Sequence, residues 1–141
     1  MELDPARVED TRAWFAKAGA DLRAARPLMA AERPFVEHTL FLVQQAIEKT
    51  LKGYLAWHDV PFRKTHDLAT LAAACIRLDP TLQPLLDRAR PFSEYAWKYR
   101  YPAQFDEPAP VEQDAADGLA FAQQVFEEVL GRLPAAVRPL P

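Results

Sequence analysis

Three side chains able to handle a phosphate fall within one short stretch, "FRKTHDL", residues 62–68: Arg63, Lys64 and His66. An imidazole can move protons near neutral pH, and a guanidinium grips an anion at two points. The same residues also fit a helix start, with Thr65 as the cap and His66 and Asp67 in the first turn. At that place a protonated histidine is opposed by the helix dipole, whereas a phosphate is favoured by both the dipole and the free amides. Spacing alone favours cap and surface over a ligand site.

A second stretch, "PFSEYAWKYRYP", interleaves Phe92, Tyr95, Trp97, Tyr99 and Tyr101 with Lys98 and Arg100. Aromatics alternating with cations can stack on bases and contact phosphates of single-stranded RNA. They equally describe a buried helix edge or a dimer interface, the reading favoured for Tyr95 and Trp97 and less so for Lys98 and Arg100. A third set, Gln44, Glu48 and Lys52, recurs every four residues, with Glu before Lys in the favourable helical order. Its plain reading is a solvated stripe that supports a helix.

Other chemistries are excluded by what surrounds these residues. The four glycines are not clustered, so phosphate loops of the Walker or Rossmann kind are absent, as is a nucleophile elbow. Cys75 is the only cysteine, which rules out an internal disulfide and the Cys-pair zinc patterns. His38, His58 and His66 are too far apart for a local metal motif, and no metal or cofactor is expected. Asp4, Glu9, Asp10, Glu107, Glu112, Asp114 and Asp117 gather toward helix starts, where the dipole favours them. The net charge of −3 argues against coating nucleic acid by bulk charge, so any such contact must be local.

The elements that would position these groups are helices. Asp4 and Pro5 signal a start, and Phe15, Ala18, Leu22 and Ala25 carry one face of a helix ended or kinked at Pro27. A second helix begins near Pro34 with Leu40, Val43, Ile47, Leu51 and Leu55; it is apolar around much of its girth and is expected to be central. A third begins near Thr65 and carries Leu68, Leu71, Cys75 and Leu78, which makes Cys75 a core residue. A short fourth follows Asp79 and Pro80 and stops at Pro91; a last one runs from about Val111 to Gly131 after the loop "PAQFDEPAP".

Strand signals are lacking, so the expected fold is all-α, a four-to-five-helix up-and-down bundle. A chain of 141 residues fits one domain, taken as 1–133, with 134–141 an extended, mobile, proline-rich tail. The charged N-terminus lacks a signal-peptide core and no apolar run reaches the ~20 residues of a membrane span, so the expected location is the cytoplasm.

Together, "FLVQQAIEKTLKGYL", "THDLATL" and "YAWKYRYP", followed by a final helix "GLAFAQQVFEEV", resemble the HEPN (higher eukaryotes and prokaryotes nucleotide-binding) family. The most specific part is the order of Gln45, Glu48, Lys49, Lys52, His66, Asp67, Leu68, Arg100, Tyr101 and Pro102. The resemblance implies a helical bundle, commonly a homodimer, often encoded beside a small nucleotidyltransferase in a toxin–antitoxin-like pair. It also implies nucleotide or RNA contacts by Lys52, Arg63, His66, Lys98, Arg100 and Tyr101.

Ribonuclease members of the wider superfamily carry an arginine followed four to six residues later by a histidine, set in a cleft between subunits. Such metal-free cleavage needs an imidazole for protons and a guanidinium for phosphate. Arg100 matches the arginine, but no histidine follows it, and His66 lies in another loop. The expectation is therefore a nucleotide- or RNA-binding partner without the usual ribonuclease motif. His66 and Arg100 are the pair to consider if a catalytic site is rebuilt by folding or dimerisation, and a purely structural dimerisation module is the third reading.

Overall fold

The computed structural model describes residues 2–102 and 108–141; Glu107 and most of the loop "PAQFDEPAP" lie outside them. Helix α1 spans Pro5–Ala30, α2 Val36–Trp57, α3 Leu68–Leu78, α4 Gln83–Asp87 and α5 Glu112–Leu130, with no strand among the described residues. The result is an all-α bundle. Asp4 caps α1 by accepting from the Ala6 amide at 3.0 Å, and Pro5 occupies the first turn. Pro27 does not end the helix: it sits at an exposed position and α1 continues to Ala30. The chain then turns back, with the Phe35 amide donating to Leu28 O at 3.0 Å.

Helix α2 is the centre, packed on α1, α3 and α5. Leu40, Val43, Ala46, Ile47, Leu51 and Leu55 on it are all fully buried. Its contact with α1 is close at Gly53, where a Cβ would stand 2.8 Å from the Phe15 ring and 3.0 Å from Trp14 Cβ. Phe15 is itself fully buried and cannot swing aside. Cys75 lies in the core as expected from its face, and burial pushes its thiol up to about 12.

Three further places differ from what the sequence led one to expect. Helix α3 begins at Leu68 because Asp67, not Thr65, is the cap: its carboxylate accepts from the Ala69 amide and the Thr70 hydroxyl. Thr65 instead accepts from the Asp67 amide in the preceding turn, which leaves His66 outside the helix. Pro91 does not stop the chain's winding, since its ring suits the start of a 3-10 segment, Arg90–Ala96. Part of the tail expected to be mobile is seated on α1: Ala135–Val137 forms a 3-10 turn, Val137 is fully buried, and Arg12 Nε donates to Ala136 O at 3.1 Å.

Candidate functional site

The polar stripe of α2 is not solvated. Gln44, Glu48 and Lys52 are only 0, 4 and 7% exposed, because Trp14 of α1 and the connection carrying Phe62 and His66 close over that side of the helix. Sequence spacing correctly aligned the three residues on one face. It could not report that another segment covers the face.

Glu48 is the hub. Its Oε1 accepts from Gln44 Nε2 at 3.0 Å and lies 2.7 Å from His66 Nδ1, while Oε2 accepts from Lys52 Nζ at 3.0 Å. Burial by itself raises a carboxyl, but the hydrogen bonds from Gln44, His66 and Lys52, with the Lys52 charge, outweigh it and hold Glu48 below the usual range. The Lys52 ammonium also faces the rings of Trp14 and Phe62, at 5.8 and 5.9 Å from their centroids. Gln44 donates additionally to His66 O at 3.3 Å and accepts from Gln45 at 2.7 Å. The loop is therefore bound to α2 through both the backbone and the ring of His66.

An ionised carboxylate only accepts, so the proton on the contacted nitrogen of His66 belongs to Nδ1. That leaves Nε2 as the nitrogen available to a ligand, on a side chain that is 69% exposed. A carboxylate that fixes the tautomer of an imidazole is one arrangement that proton-transferring histidines use. Arg63 and Lys64 are exposed beside it in the chain.

Arg100 stands elsewhere. It lines a pocket of about 350 Å³ with Glu37, His38 and Phe41 from the first turns of α2 and with Tyr95 and Tyr99. Tyr95 and Tyr99 stack at 5.7 Å, and burial, with the nearby Tyr99 and Glu94, pushes the Tyr95 hydroxyl up. The leading end of α3 is tied to the segment bearing Tyr95, as the Leu68 amide donates to Ser93 Oγ at 2.8 Å. Phe41 and Glu48 are seven residues apart on α2, so the pocket and the His66 loop are separated by roughly 10 Å along the helix.

The structure thus distributes the candidate residues unevenly. Arg100 is open in a pocket, His66 and Arg63 are open in the neighbouring loop, and Lys52 is buried on Glu48. Lys98 lies back on Glu94 at 3.0 Å with its side chain only 8% exposed. Tyr101 is 73% exposed and lines no part of the Arg100 pocket. Trp97, expected to pack in the core or at an interface, is 55% exposed in the single chain.

Sequence reading missed Glu37 and His38 as pocket residues; the only signal was a charged and an aromatic polar residue facing outward at the start of an otherwise apolar helix. Among the described residues no group of three or more His, Cys, Asp or Glu is placed to hold a metal, and no helix is long and apolar enough to cross a membrane.

A family model described as the HEPN domain matches residues 11–133. The fold also matches the crystal structure of an archaeal HEPN homologue, with 29% sequence identity, a TM-score of 0.67, and coverage of 89% of this chain and 96% of that one. No curated protein matches. With the family model spanning most of its length and the bundle reproduced in a solved relative, the chain belongs to the HEPN domain family.

Proposed function

We propose that this protein binds a nucleotide, free or within single-stranded RNA, in the Arg100 pocket, and acts in the cytoplasm as the partner of a small nucleotidyltransferase in a toxin–antitoxin-like module. The observation that carries the ligand part is the pocket itself: a guanidinium and an imidazole beside two stacked tyrosines and a phenylalanine, in a volume suited to one small molecule. Arginine supplies the phosphate contact and the rings supply faces for a base. The loop carrying Arg63 and His66, which meets α2 at Glu48 about 10 Å from Phe41, offers a site for a second phosphate. Phe35, Trp97 and Tyr101, 49, 55 and 73% exposed, border this region in the chain and offer apolar area to a second copy in a homodimer. Titration with nucleoside triphosphates and short RNA at low and physiological salt is expected to give saturable binding that Arg100→Ala weakens. Absence of binding at both salts removes the ligand from the proposal.

A second reading, metal-independent RNA cleavage, is favoured by the 2.7 Å contact that orients His66 on Glu48. Cleavage in EDTA that leaves a cyclic phosphate and disappears in His66→Ala supports it. Activity unchanged in that variant marks a contaminant.

A further inference from the structure

We infer that the Arg100 pocket selects guanine, with Glu37 reading the base; the inference rests on the nucleotide-binding reading above. Glu37 and Arg100 carry opposite charges and line the same pocket, yet among the described residues neither forms a hydrogen bond or an ion pair with its side chain. Two unpaired opposite charges in one pocket fit a ligand with an anion at one end and hydrogen-bond donors at the other.

The chemistry of the bases narrows the choice. An ionised carboxylate is acceptor-only and takes two parallel hydrogen bonds best from two adjacent donors. On the Watson–Crick edge only guanine presents such a pair, N1–H beside N2–H. Adenine and cytosine each place one donor next to a ring nitrogen lone pair, which a carboxylate oxygen repels. Uracil flanks its single N3–H with two carbonyls. Unstacked bases are read on this edge while their faces rest on aromatic rings. Here Phe41 and the Tyr95–Tyr99 stack provide the rings, and His38 and Arg100 face the phosphate.

Glu37 is exposed and belongs to no core contact, so its substitution leaves the fold in place. The test is calorimetric titration of the full chain with GMP, AMP, CMP and UMP, and with RNA hexamers with and without a single guanosine, under matched salt. GMP is expected to bind about tenfold more tightly than AMP, the worth of one charged hydrogen-bond pair. In Glu37→Gln the amide offers one acceptor and one donor, and the preference for GMP over AMP is expected to vanish. Arg100→Ala is expected to weaken all four nucleotides alike.

Equal affinity for the four, still weakened by Arg100→Ala, overturns the guanine inference and leaves the nucleotide reading standing. A guanine preference that survives Glu37→Gln overturns the role of Glu37. No saturable binding of any nucleotide or of either hexamer overturns the reading on which the inference rests. A gain confined to guanosine-bearing hexamers assigns the same base recognition to RNA.

Discussion

Two polar regions share helix α2 and are built in opposite ways. Around Glu48 every charge has a partner: Gln44, Lys52 and His66 converge on one carboxylate beneath Trp14 and Phe62. Around Arg100, two turns nearer the helix start, Glu37 and Arg100 line an open pocket and pair with nothing among the described residues. The first region completes its hydrogen bonds within the chain and so fixes the shape of the molecule. The second leaves the charges of Glu37 and Arg100 exposed, which is where the proposed ligand would bind. His66 has something of both, because its Nδ1 belongs to the closed network while its side chain is 69% exposed.

The largest expected effect lies in the closed region. Glu48→Ala leaves the Lys52 ammonium buried without its counter-charge, and a loss of about 3–5 kcal/mol of stability is expected by urea unfolding. The same network carries a pH signature. Glu48 titrates below its ordinary 4.5 when folded, so its contribution is fully present above that value and is lost as pH falls through the folded one. Wild type is therefore expected to lose stability as pH falls below Glu48's ordinary 4.5 more steeply than Glu48→Gln, to an extent read directly from paired denaturation curves. Equal slopes in the two proteins would show that Glu48 is not held by charge.

A smaller effect is expected where α1 and α2 touch. Gly53→Ala forces a methyl against the immobile Phe15 ring, and about 1–3 kcal/mol of destabilisation is expected in thermal unfolding. Smallest is the effect on stability in the open region. Arg100→Ala is expected to shift unfolding by no more than about 0.5 kcal/mol while reducing nucleotide affinity. A large stability loss there would erase the contrast between the two regions, since it would mean that Arg100 also holds the fold.

Much of the bundle was legible because helix-forming patterns are local. Asp4 and Pro5 marked the start of α1, and the spacing of Val43, Ile47, Leu51 and Leu55 marked the buried face of α2. Cys75 followed from its place among Leu68, Leu71 and Leu78. Errors arose where two local solutions compete. Thr65 and Asp67 can each cap a helix, and the carboxylate prevailed. Pro27 can break a helix, but at an exposed position it costs only one hydrogen bond and the ring's local strain.

The sequence by itself determined the helices, their apolar faces, the absence of clustered metal or phosphate-loop motifs, and the alignment of Gln44, Glu48 and Lys52, since each depends on residues within a few turns of one another. Only the tertiary structure decided which polar residues are covered. Lys52 is sealed by Trp14 from 38 positions earlier and by Phe62 from the following loop, while Glu37 and His38 acquire their setting from Tyr95, Tyr99 and Arg100 some 60 positions later. "FRKTHDL" shows the limit most plainly. Its residue types announced proton and phosphate chemistry, but whether His66 sat in a helix turn or on a buried carboxylate depended on what α2 placed opposite it, because periodicity describes one element and burial is a property of several packed together.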